Sequence, residues 1–261
     1  MKHLVRKYVS KVQLTQEVLS YINSAEKKGN SLHGSVIDSM VPNFITNEGE
    51  LIQSFVYTLK NTKYFIPEPN PIVLYFDTGR AYLNVLKRNK LILMNQLNLN
   101  DKEQNVFQLG DKFYYYFASC VRFVVFQFLA LEAMLNKLIP FDFEYRKEDG
   151  NKRSFIYIGL QIQRNIEFKE KLQKVIPLIT KKSFPNSFPK KYHLIESLKD
   201  FRDEIVHTKS QKNAPASNYY SEMYLKAMDF KYEETLYVVR DFINFYDESL
   251  LEECDCGLEE D

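Results

Sequence analysis

Arg202, Asp203 and His207 are the residues whose types and spacing could do chemistry together. They supply a permanent planar cation, a carboxylate and an imidazole that titrates near neutral pH. All three fall in the segment 191–209. There Leu194, Leu198, Phe201 and Ile205 recur at spacings of four, three and four, the apolar stripe of an amphipathic helix. Ser187 followed by Pro189 suits the start of that helix, because proline is tolerated in the first turn. Asp203 and His207 are four apart and share a helical face, so the carboxylate could orient the imidazole or raise its pKa. Arg202 and His207 are five apart, about 140° around a helix. Two arrangements bring them together: the arginine curls round a helix end, or a second copy of the chain supplies the other member. Two such helices meeting across a two-fold axis would form one cleft with two arginines and two histidines. That cleft suits phosphodiester cleavage, with His moving a proton and Arg stabilising the extra negative charge on phosphorus. On RNA the adjacent 2′-hydroxyl is a built-in nucleophile, so no metal is needed. The same Arg and His also favour a helix C-terminus through its dipole and could simply cap it.

Other chemistries find little support. No Gly-rich phosphate loop, H-E-x-x-H or G-x-S-x-G occurs in the 261 residues. Cys254 and Cys256 form a C-x-C pair with no second pair of ligands nearby, so no metal site is assigned and no cofactor is expected. Cys120 lies in an apolar helix, where a buried thiol is the ordinary outcome. Of the other histidines, His3 and His33 have no partner nearby and His193 falls at the start of the segment. The last eleven residues carry six acids and no base, which leaves the rest of the chain near +7 against a whole-chain charge of +1. A moderately basic body tolerates a polyanionic partner. The N-terminus has no apolar run after its basic residues, so a cytoplasmic location is expected.

The elements that must position these residues are mostly helical. With 8 Gly and 9 Pro, the composition favours long helices. Helices are expected over 11–28, 50–60 and 72–97, with turn-rich chain over 29–47 and a proline break at 67–71. The polar run 95–108 serves as a linker. The segment 113–139 is the most apolar of the chain, but Arg122, Gln127, Glu132 and Asn136 within it favour a buried central helix over a membrane span. Around Asp149-Gly150, residues 141–145 and 154–158 read as a β-hairpin. A short helix over 167–176 should turn Phe168, Leu172 and Val175 inward. The loop 181–191 carries Lys181, Lys182, Lys190 and Lys191, which could contact RNA phosphates together with Lys209, while Phe184 and Phe188 could stack on bases. After a polar loop over 210–217, the chain ends in a helix with Leu236, Val239, Ile243, Tyr246 and Leu250 on one face. The expected class is therefore mainly α. A helical bundle with a small β-hairpin insertion occupies 111–250, a mostly helical region of unassigned role occupies 1–105, and an acidic tail occupies 251–261.

The run Phe201-Arg202-Asp203-Glu204-Ile205-Val206-His207 resembles the R-x4–6-H motif of the HEPN superfamily. The stretch 128–140, with Glu132 and Asn136, is similar to the first core helix of such domains, and the helix order that follows is also similar. The resemblance covers about residues 111–250. It implies a helical bundle that dimerises through the motif helices, and a metal-independent endoribonuclease of a toxin, CRISPR or phage-defence kind. A protein antitoxin or regulator would be a natural partner. Other members have lost catalysis and serve as modules that bind RNA, nucleotide or protein. By motif position Arg202 and His207 carry over as catalytic, Asp203 as the polar residue after the arginine, and Glu132 as a polar group facing the site. Toxins modified by a nucleotidyltransferase antitoxin carry Tyr two positions after the His, where this chain has Lys209.

Overall fold

Pro67, Pro69 and Pro71 interrupt the chain at the point where its architecture changes. The computed structural model describes residues 4–6, 11–13, 43–45, 50–99, 105–148, 154–207, 220–248 and 250–253. It divides into two compact units, Arg6–Asn70 and Pro71–Asp261 with Met1–Val5. The change of unit therefore falls at Asn70 rather than near residue 105.

In the first unit the described residues are strands. These are β2 (Lys11–Gln13), β3 (Asn43–Ile45), β4 (Glu50–Leu59) and β5 (Thr62–Pro67), while β1 (Leu4–Arg6), whose Leu4 and Val5 belong to the second unit, pairs with the C-terminal β8 (Leu251–Glu253). Strand β4 is central, antiparallel to β2 and β3 through its first half and to β5 through its second. The helix expected over 50–60 is thus a strand. Lys60 and Asn61 both hold positive φ, at 47° and 64°, between the paired ends Leu59 and Thr62. A two-residue turn with both φ positive matches the natural twist of a hairpin, and it fixes β4 and β5 against each other. Of the helix expected over 11–28, Lys11–Gln13 is a strand and the remainder lies outside the described residues.

The second unit is mainly α. Helices α1 (Pro71–Leu97) and α2 (Val106–Lys137) pack along each other. Gly79 permits the close approach: a Cβ there would lie 2.4 Å from Gln127 Nε2, which donates to the Phe76 carbonyl at 2.9 Å. Helix α2 starts seven residues before the expected position because Asn105 caps it, accepting from the backbone N–H of Phe107 and Gln108. The polar stretch expected to be a linker therefore contains a helix boundary. Helix α2 is long and apolar enough to cross a membrane by length and composition, and 56% of its most apolar window is buried within the protein. Arg122 lies exposed with its guanidinium 5.2 Å from the Tyr82 ring centroid.

The hairpin forms from β6 (Glu144–Glu148) and β7 (Ser154–Ile158), antiparallel and in register across the Asp149-Gly150 segment. After α3 (Leu160–Asn165), a continuous helical run over 168–180, α4, buries Phe168, Leu172 and Val175 as expected. Its middle, Lys171–Val175, widens to π geometry. The cause is local. Pro177 has no N–H to offer the carbonyl four residues earlier and its ring would clash there, so the preceding turn opens. Then come α5 (Phe184–Ser187), α6 (Pro189–Val206), α7 (Ser221–Asp229) and α8 (Tyr232–Tyr246). Leu236, Val239, Ile243 and Leu250 are all buried inside their own chain. The Tyr116 and Tyr232 hydroxyls both donate to the Ala227 carbonyl, at 2.7 and 2.8 Å, and tie α7 to the core. Cys120 is a free, fully buried thiol that burial pushes up to about 11.

Candidate functional site

Helix α6 carries Arg202 and Asp203, and His207 closes it. Its inner face, Tyr192, Ile195, Leu198 and Phe201, is buried against α2 and α8. That burial fixes the helix axis and leaves Arg202 and Asp203 half-buried at its flank. His207 is the C-cap: its backbone N–H makes the last helical hydrogen bond, to the Asp203 carbonyl at 2.9 Å, and its side chain is exposed.

The Arg202 guanidinium lies over the Phe128 ring, with its carbon 4.8 Å from the ring centroid. Its Nη1 donates to Asp203 Oδ1 at 2.9 Å. Asp203 Oδ2 accepts from Lys199 Nζ at 2.7 Å, the i, i+4 pairing of a helix surface. Burial alone would raise the Asp203 carboxyl, but the hydrogen bonds and charges of Lys199 and Arg202 outweigh it and hold it below its usual range. The carboxylate is thus turned toward Lys199 and Arg202 instead of orienting the imidazole. The His207 ring makes no hydrogen bond or ion pair with another of the described residues.

Glu132 projects from α2 one helical turn beyond Phe128, half-buried, and makes no ion pair with Arg202 among the described residues. Its charge acts on Lys171 of α4 instead. Lys171 is buried, donating to Asn136 Oδ1 and to the Gln163 carbonyl. Burial pushes its ammonium below the ordinary lysine value, and the Glu132 carboxylate opposes that push.

The lysine loop is more structured than expected. Ser183 caps α5, and Phe184 is fully buried among Phe188, Phe242 and Phe245, so it is not available to stack on a base. Phe188 is partly exposed but leans on Phe245 and lies under the Lys191 ammonium. Lys191 is paired with Asp241 at 2.6 Å, Lys181 donates to the Leu178 carbonyl and Lys182 to the Phe245 carbonyl. Lys190 is exposed, and Lys209 lies outside the described residues, as do Cys254 and Cys256. Among the described residues no group of three or more His, Cys, Asp or Glu could hold a metal ion.

The residues that sequence reasoning missed are Phe128, Phe168, Lys199 and Lys171. Only Lys199 left a signal, its four-residue spacing from Asp203. The arrangement leaves a guanidinium with unused N–H groups among the described residues and, at the end of the same helix, an exposed imidazole. No family model, no curated protein and no solved structure matches this chain.

Proposed function

We propose that the protein is a metal-independent endoribonuclease of HEPN type, acting as a toxin or phage-defence effector, with its active site composed where two copies meet along α6. The observation that carries this reading is the Arg202 guanidinium held against Phe128 at the end of a helix whose cap is an exposed histidine. The guanidinium N–H groups other than the one given to Asp203 make no hydrogen bond with another of the described residues and can bridge two phosphate oxygens. In the reaction, His207 takes the proton of an RNA 2′-hydroxyl, and the oxygen attacks the adjacent phosphorus. The phosphorus–5′-oxygen bond breaks, and the protonated imidazole supplied by the second copy gives that oxygen a proton, completing the leaving group. The products are a 2′,3′-cyclic phosphate and a 5′-hydroxyl. Arg202 stabilises the charge that gathers on the phosphoryl oxygens in between. Asp203 and Lys199 hold Arg202 rather than His207, so the imidazole is to be oriented by the second copy or by the RNA.

The test is RNA cleavage by the purified full chain in EDTA. Wild type is expected to leave cyclic-phosphate ends, and His207→Ala to lose about 100-fold or more of the rate. Undiminished cutting by His207→Ala refutes the assignment. The absence of an orienting partner for His207 within the described chain favours a second reading, a non-catalytic helical module that binds RNA, a nucleotide or a protein. That reading requires binding without cleavage, and unchanged growth of cells expressing wild type or Arg202→Ala.

A further inference from the structure

We infer that Phe128, a residue of α2 outside the R-x4–6-H motif, is the positioning residue of Arg202, and that Phe168 backs it. The inference rests on the reading of Arg202 as the group that receives the scissile phosphate.

Phe128 touches both Phe168 and Arg202. Phe168, at the first turn of α4, packs against Phe128 with ring centroids 4.9 Å apart. Phe128 is itself buried, 2% exposed. The Arg202 guanidinium carbon lies over the Phe128 ring, 4.8 Å from its centroid. A planar cation over an aromatic face is attracted by the ring quadrupole, and the contact selects the plane of the guanidinium, not merely its place. The Asp203 carboxylate then fixes rotation within that plane, and Lys199 fixes the carboxylate. An arginine on four rotatable bonds is thereby held over a ring and at one nitrogen. Such a group meets a phosphate without first being ordered, which matters when the interaction must strengthen in the transition state. A lysine at 202 would have neither the flat face nor the fork, so the ring beneath the site also explains why arginine stands there.

The experiment uses the full-length protein in three forms: wild type, Phe128→Tyr and Phe128→Leu. The Arg202 Nε–H is observed in arginine-labelled nitrogen NMR spectra and assigned by its loss in Arg202→Lys. Single-turnover RNA cleavage in EDTA is measured in parallel. Wild type and Phe128→Tyr are expected to share a ring-current-shifted, slowly exchanging Arg202 signal. Phe128→Leu should move that signal to the position of an exposed arginine. It should lower kcat roughly 10-fold with KM within about 2-fold, and Phe128→Tyr should restore kcat. Should Phe128→Leu fail to fold, Phe168→Leu leaves the ring and removes its backing, and a smaller displacement of the same signal is expected. An Arg202 signal unmoved by the loss of the ring overturns the inference, whatever happens to RNA. A moved signal in a protein that cuts no RNA leaves the positioning role standing and removes the ribonuclease reading instead.

Discussion

The two ends of helix α6 are held in different ways. At its N-terminal end, Lys191 is tied to Asp241, the Tyr192 hydroxyl accepts from Gln173, and Ile195 and Leu198 are fully buried. At its C-terminal end, Phe201 is the last fully buried side chain. Arg202 is then pinned on a ring, Glu204 pairs with Lys226 at the surface, Val206 is half exposed, and His207, among the described residues, is attached through its backbone alone. Within little more than one turn the helix passes from core to open flank. The difference separates what keeps the chain folded from what could act on a substrate. It also separates the two motif residues, because among the described residues the arginine has side-chain partners and the histidine has none.

Three substitutions bear on this contrast. The largest effect is expected at the packed boundary. Phe201 packs on Phe230 with centroids 5.1 Å apart, and Phe201→Ala should cost about 3–5 kcal/mol of unfolding free energy in a denaturant titration. A loss under about 1 kcal/mol would mean that the core does not extend to Phe201. A smaller effect is expected at Asp203, whose pairs are only partly buried. Asp203→Asn should cost about 0.5–1 kcal/mol near neutral pH. Its folded carboxyl lies below its unfolded value, so its contribution is present above the ordinary carboxylate pKa and disappears as pH falls through the folded one. The stability gap between wild type and Asp203→Asn should therefore close below about pH 4, and a gap that widens on acidification contradicts the assignment of those ion pairs. The smallest effect is expected at the cap: His207→Ala should change stability by less than about 0.5 kcal/mol, which makes it a clean probe of cleavage. A large loss of stability there would show that the imidazole is as firmly built in as Arg202.

Much of this helix was legible in the sequence, because its pattern is local. Leu198 and Phe201 are buried as their spacing requires, and Pro189 opens the helix. The hairpin around Asp149-Gly150 was legible for the same reason, although its first strand begins at Glu144. The strand Glu50–Leu59 was not. Leu51, Phe55, Val56 and Leu59 fit a helical stripe, and a run of ten residues with apolar side chains on both faces satisfies either period. What decides it is the Lys60-Asn61 turn and the partner strand, one a backbone feature and the other a pairing. The candidate site divides likewise. Arg202, Asp203 and His207 are neighbours in the chain, and their spacing is visible. Phe128 reaches Arg202 only through the packing of α2 on α6, and nothing distinguishes it from the other phenylalanines of its helix. Glu132 was singled out as a polar group facing the site, and its charge acts on Lys171, a lysine buried by tertiary packing that no local pattern reveals.

Gly79 has a bearing on how such a chain can change over time. Its missing methyl sets the spacing of α1 and α2 where Gln127 crosses to the Phe76 carbonyl. Any side chain at 79 must evict that amide, and a shorter residue at 127 would abandon the carbonyl it satisfies. Neither position can drift alone. Substitutions at 79 and 127 should therefore be non-additive in their effect on stability, because the two positions share one contact between the long helices.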